Sequence, residues 1–205
     1  MLRDMYAQAA WLSDLDPEGV CEAPLAALVR GSVERIDSSE LAEHEPQLIA
    51  VARGHEALLR EHGCPVLVGG PPFRRLESVL VPFDPSVRVG VVAEAIALGV
   101  GTGAMLTFLH VHDVNETCEP DETLAQMRAA VKEQALPQEK ERLRVRFEVG
   151  IGEGVGEAIN QAAEAHDLVL VGARGRRGLA RFVLGSVAEV VARAAPVPVL
   201  VVRPQ

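Results

Sequence analysis

Aromatic side chains make up only 3 % of this 205-residue sequence, so its core has to be built from Ala, Val, Leu and Ile. Hydrophobic residues still reach 48 %, enough for a sizeable core of the kind a helix-covered parallel sheet provides. Positive charge is also short: 20 Lys and Arg stand against 29 Asp and Glu, a net charge of −9. A surface of that sign repels phosphate backbones and anionic headgroups, which argues against general nucleic-acid or membrane-surface binding. The three cysteines, Cys21, Cys64 and Cys118, have neither C-x-x-C pairing nor metal-ligand spacing, and they read as free thiols in a reducing compartment. No apolar run approaches the roughly 20 residues that span a bilayer, and no secretory leader is read at the start, so the expected location is the cytoplasm. The Walker motif G-x-x-x-x-G-K-[ST] is missing too, and no Ser/His/Asp or Cys/His set declares itself.

The pattern that is present alternates strands with helices. Val79–Asp84 is a short apolar run that ends in a turn, after which Ser86 can cap a helix. That helix places Val89, Val92, Ala93 and Ile96 on one face. Met105–Val111 reads as a strand, Asp121–Gln134 as a charged helix and Arg144–Val149 as a strand. Val155, Ala158, Ile159 and Ala162 give a second helical face, and Val187, Val190, Val191 and Ala194 a third. Leu168–Val171 is continuously apolar, as a central parallel strand must be, and Val199–Val202 closes the series. The order βαβαβαβαβ predicts a doubly wound, five-stranded parallel α/β sheet of Rossmann-like form over residues 76–205.

Residues 1–72 echo the second half of that unit. Sliding the sequence by 121 places Gly31 on Gly152, Ala42-Glu43 on Ala163-Glu164 and Ala52-Arg53-Gly54 on Ala173-Arg174-Gly175. Gly54 is 11 residues from Pro65, however, while Gly175 is 23 from Pro198, so the first copy lacks 12 residues. With a helix-like stretch at Tyr6–Leu12 and a strand at Leu25–Val29, the expectation is a partial copy without counterparts of Val79–Asp84 or Met105–Val111. Such a half-sheet is expected to leave apolar surface uncovered and so to favour a homodimer.

Chemistry concentrates in the segment from Gly172 to Ser186. It begins at the carboxyl end of the central strand, where open α/β sheets bind ligands, and ends where a helix opens. Glycine lets backbone N–H groups approach an anion, and the free N–H groups and dipole of the helix start favour phosphate. Arg174, Arg176, Arg177 and Arg181 add local positive charge, although Arg176 and Arg177 also suit a solvated loop. The spacing Gly172-x2-Gly175-x9-Gly185-Ser186, with Asp84 closing the first strand, resembles the ATP-binding signature of the universal stress protein family. The resemblance implies that Pro82, Asp84 and Val111 frame adenine and ribose. It implies that Gly172, Gly175, Gly185, Ser186 and Val187 hold the phosphates, with Arg174 beside them and a divalent ion such as Mg2+ accompanying the nucleotide. It further implies that the two Pro-Val-Leu-Val strands, Pro65–Val68 and Pro198–Val201, pair across a pseudo-twofold.

Competing motifs are weaker. Gly150, Gly152, Gly154 and Gly156 fail the dinucleotide fingerprint and read as a flexible turn. His110 and His112 share a strand face but lack a third ligand, His55 and His62 fall in the partial copy, Trp11 reads as packing, and Cys118 sits in a polar loop among acids. With no positioned lysine or base, rapid hydrolysis is not supported, and the expected role is an ATP-dependent sensor or regulatory module with one site per chain. A slow ATPase and a nucleotide-free scaffold are the alternatives.

Overall fold

The structure is a computed structural model that describes residues 6–16, 18–55, 64–71, 75–84, 89–114, 119–173 and 185–202. In chain order, β1 is Tyr6–Leu12, α1 Glu22–Leu28, β2 Val29–Ile36, β3 Leu48–Val51, β4 Val66–Val68 and β5 Ser78–Pro82. Then follow α2 Val89–Thr102, β6 Met105–Asp113, α3 Pro120–Gln134, α4 Pro137–Lys140, β7 Arg144–Gly152, α5 Val155–Ala163, β8 Leu168–Gly172, α6 Ser186–Ala194 and β9 Val199–Val202. A 3-10 turn, Ser38–Glu43, links β2 to β3.

All nine strands among the described residues join one sheet in the order β2-β1-β3-β4-β9-β8-β5-β6-β7. Every pairing is parallel except β4 with β9, which run antiparallel with Leu67 opposite Leu200. The expected join of the two Pro-Val-Leu-Val strands is therefore present. The five strands from β9 to β7 are the predicted doubly wound unit. Alternation along each strand feeds two cores. Val79, Val81 and Leu170 face α1, α2 and α3, while Leu80, Val169 and Val171 face α5 and α6. α2 reads VGVVAEAIALGVGT, with almost no polar face, because it packs between α3 and α1 and meets little water. No described helix is long and apolar enough to cross a membrane.

Residues 6–71 depart from the sequence reading in three ways. Tyr6–Leu12 is a strand rather than a helix, and Leu25 belongs to α1, with the following strand starting only at Val29. The helical spacing there was incidental, since parallel pairing with β2 and β3 on both sides fixes β1 as extended. Consequently β1 and β2 stand where β5 and β6 stand in the complete unit: the order β2-β1-β3-β4 parallels β6-β5-β8-β9. Second, the ladders break the overlay: Gly31 lies in β2, which stands for β6, whereas Gly152 ends β7, and at β3 the match is one residue out of step. Ile49 faces Val66 as Val169 faces Val199, which places Ala52, not Val51, at the position of Gly172. Third, the half-sheet is covered. Leu48, Ile49, Ala50, Val66 and Leu67 are fully buried, and the exposed large hydrophobics among the described residues are only Val33, Val114 and Ile151. Among the described residues of this half, Val33 is the one exposed large hydrophobic, so the uncovered apolar surface expected from a half-sheet is not seen among them.

Smaller corrections concern the glycine-rich stretch and the last strand. Gly150 and Gly152 continue β7, paired with Val111 and Asp113, so the turn shrinks to residues 153 and 154 before α5. β9 lies inside the sheet because β4 pairs along its outer side, and Pro198 precedes its paired residues.

Candidate functional site

A cleft of about 290 Å3 opens at the carboxyl ends of β5, β6 and β8. It lies where two strand ends diverge and helix starts converge, the usual ligand position of an open α/β sheet. Pro82 ends β5 because it has no N–H for the ladder, yet Phe83 N–H still reaches Leu109 O at 2.8 Å. That bond carries Asp84 out past the sheet to the rim of the cleft. His110 Nδ1 lies 2.7 Å from Phe83 O, and a carbonyl only accepts, so Nδ1 carries the proton and pins the corner between β5 and β6.

One wall is made by β6 through Leu109 and Val111, which strand alternation sends to the same side. Val155 and Ile159, one helical turn apart on α5, close the far side. The floor is Val171 and Gly172 at the end of β8. Here glycine is dictated by space: a Cβ on Gly172 would stand 2.4 Å from Val91 Cγ2 of α2. Gly185 is the extended residue before α6, and its carbonyl accepts from Glu189 N–H at 2.9 Å. The first N–H groups of α6 have no partner within the helix, and they stand where Gly185, Val187 and Ala188 line the cleft. The result is a mostly apolar slot lined by one carboxylate, Asp84, and by the start of a helix.

Of the residues expected from the sequence, Pro82, Asp84, Val111, Gly172, Gly185 and Val187 come together in this cleft. Ser186 is exposed at the first position of α6 and does not line it. Arg174 and Gly175 lie outside the described residues, as do Ser86, His62, Cys118, Arg176, Arg177 and Arg181. Sequence reading missed Val91, Leu109, His110, Val155 and Ile159 as lining residues. Their helical and strand spacing was visible, but it reports a buried face without saying that a cleft cuts into it. His110 and His112 do meet, ring to ring at 4.4 Å, while no group of three or more metal-type ligands occurs among the described residues.

The equivalent corner of the N-terminal half is occupied by the chain itself. Ser13 N–H bonds Ile36 O at 3.0 Å just as Phe83 bonds Leu109, so Asp14 stands in the register of Asp84. The sequence overlay gave Asp84 no counterpart because it began beyond β1. Asp14 Oδ1 accepts Ser38 N–H at 2.8 Å and Oδ2 accepts the Ser38 hydroxyl at 2.5 Å. Desolvation tends to raise the Asp14 carboxyl, but the bonds from Ser38 together with those from the Asp14 and Leu15 backbone outweigh it and hold the group below its usual range. Asp16, fully buried, accepts from Trp11 Nε1, Val20 N and Cys21 N at 2.9–3.1 Å. The Cys21 thiol in turn donates to Val51 O at the end of β3. Burial first, then the Asp16 charge, pushes that thiol well above its ordinary range. Trp11 is a packing residue as expected, with Arg35 stacked 5.0 Å from its ring centre.

Comparison with known proteins agrees with this architecture. The model of the universal stress protein family matches residues 76–203. Universal stress protein Rv2005c of Mycobacterium tuberculosis and Mb2028c of Mycobacterium bovis are each 32 % identical over 180 residues. The match covers 86 % of this chain but 58 % of theirs, so the chain spans little more than half the length of these relatives. Among solved structures, a universal stress protein from Archaeoglobus fulgidus aligns with a TM-score of 0.59 at 21 % identity, covering 93 % of this chain and 75 % of that one. A functionally unknown protein, PA1789 from Pseudomonas aeruginosa, gives 0.58 at 18 % identity over 98 % and 93 %. At these identities the structural matches speak for the fold.

Proposed function

The chain belongs to the universal stress protein family, and on that premise we propose that residues 76–205 form an ATP-binding regulatory module with one nucleotide site per chain. The observation that carries the reading is the cleft that gathers Pro82, Asp84, Val111, Gly172, Gly185 and Val187. An apolar slot between Val111, Val155 and Ile159 suits a purine ring, which gains by leaving water. Asp84, as an acceptor at the rim, suits the ribose hydroxyls. The start of α6 suits the phosphates through its free N–H groups and dipole. Mg2+ would accompany the triphosphate and neutralise part of its charge.

Binding is favoured over hydrolysis by what lines the cleft. Among the described residues the lining has no lysine, and its acidic and imidazole groups, Asp84 and His110, come from the ends of β5 and β6. Residues 1–72 are read as a partial copy of the same domain, on the strength of matching strand order and register. In that copy the Asp14 carboxylate is already held by Ser38, and Ala52 replaces the floor glycine, so the second corner takes no nucleotide. Since the half-sheet is covered, we propose that the module works as a single chain.

The test is a titration with a fluorescent ATP analogue into nucleotide-free protein, wild type and Gly185→Val. Saturable binding that disappears in the variant supports the reading. No binding by the wild type makes the chain a scaffold that keeps the fold without the ligand.

A further inference from the structure

Two helices carry cleft walls near their N-terminal ends, α2 through Val91 and α6 through Gly185, Val187 and Ala188. Both are gripped farther along by side chains of the N-terminal half. Tyr6 on β1 donates its hydroxyl to the Glu94 carboxylate on α2. Arg30 on β2 reaches Gly101 O in the last turn of α2 at 2.5 Å. Arg53, just after β3, donates Nη1 to Arg193 O at 3.2 Å and Nη2 to Val197 O at 3.0 Å, spanning the last turn of α6 and the approach to β9.

Each grip falls where a grip has physical consequence. The last carbonyls of a helix have no partner within it, and a cation there complements the dipole. A guanidinium is a rigid fork, so Arg53 fixes two carbonyls at a set spacing, which a lysine point charge does not do. Tyr6 is the neutral partner of its pair, because burial first and the Glu94 charge second push its hydroxyl far above the ordinary range. The seam beneath these contacts has no slack, as a Cβ on Gly70 would stand 2.6 Å from Pro198 N. A nine-residue helix moves as a rigid rod, so a shift at its rear reaches the turn that faces the cleft.

Building on the nucleotide reading above, we propose that the N-terminal half is a positioning clamp for the cleft, in which Tyr6, Arg30 and Arg53 set the placement of α2 and α6. Nucleotide affinity is then coupled to the docking of that half, and the coupling is reciprocal. Simple adhesion between two halves predicts no such exchange between distant regions.

The experiment uses the full chain, with a fluorescent ATP analogue for affinity and hydrogen exchange of the β3 segment with and without ATP. Tyr6→Phe/Arg53→Met keeps the ring and the aliphatic stem but removes the donors. It is expected to bind at least about fivefold more weakly than wild type, the lower end of usual coupling between sites. In the wild type, ATP is expected to slow exchange at Ile49–Arg53, a region that does not line the cleft. If the double variant does not fold, Arg53→Lys, which keeps the charge but not the fork, serves the affinity arm, and the exchange arm needs only wild type. Unchanged affinity in the folded variant, or exchange indifferent to ATP, overturns the clamp while leaving the site intact. No binding by the wild type overturns the nucleotide reading, and the clamp with it.

Discussion

Replacing Gly172 by alanine tests how tightly the floor of the cleft is built. The new Cβ would stand 2.4 Å from Val91 Cγ2, whereas carbon atoms rest at about 3.5–4.0 Å, an overlap of more than about 1 Å. Val91 has little freedom to yield, since a β-branched side chain in a helix keeps essentially one rotamer. Either α2 or the end of β8 must shift, at a cost of about 1–3 kcal/mol for an overpacked core site. For a chain of this size about 1 kcal/mol corresponds to about 2–4 °C, so the midpoint should fall by about 2–12 °C. The same shift moves one wall of the cleft, and ATP should bind about tenfold more weakly, equivalent to about 1.4 kcal/mol. Thermal unfolding and analogue titration read the two effects. Gly172→Ala/Val91→Ala should then be more stable than the sum of the single changes by about 1 kcal/mol, because the second substitution removes the obstacle. Strict additivity, or a Gly172→Ala protein with wild-type midpoint and affinity, refutes the packing argument.

Other consequences follow from the join and the closed corner. Gly70→Ala would meet backbone rather than a movable side chain, and should cost about 3 kcal/mol, the upper end of overpacking, in urea denaturation. Because the Cys21 thiol is raised in the fold, its share of stability is full below the unfolded thiol value near pH 8.5. It should decline as pH rises beyond that by up to about 1.4 kcal/mol per pH unit, and Cys21→Ala should flatten this slope. A thiol reagent at neutral pH should leave Cys21 unmodified until the protein unfolds. Asp14 behaves oppositely: its depressed carboxyl contributes stability above the ordinary value near pH 3.9, lost as pH falls through the lower folded value. Ser38→Ala should move its NMR titration upward.

The complete unit was legible because its strands are unbroken apolar runs and its helices carry one apolar face, patterns that follow directly from burial. The glycine spacing located the cleft for a related reason: Gly172 sits where a Cβ has no room, and Gly185 opens α6 at the cleft. The N-terminal half was harder. The residues of β1, YAQAAWL, alternate poorly, and nothing local separates a strand from a short helix; the neighbours β2 and β3 decide it. The overlay slipped by one residue because short alanine-rich stretches match at several offsets, whereas ladder register admits only one. Asp14 was missed as the counterpart of Asp84 because the overlay began beyond β1, and its bonds to Ser38 join residues 24 apart that no motif connects.

The most direct test of the account is isothermal titration of Mg2+ and ATP into nucleotide-free wild-type chain, read for stoichiometry. The account predicts saturation at one nucleotide per chain, with the Asp14–Ser38 corner silent. Two nucleotides per chain would show that the N-terminal corner opens after all, and no heat at all would contradict the cleft as a nucleotide site.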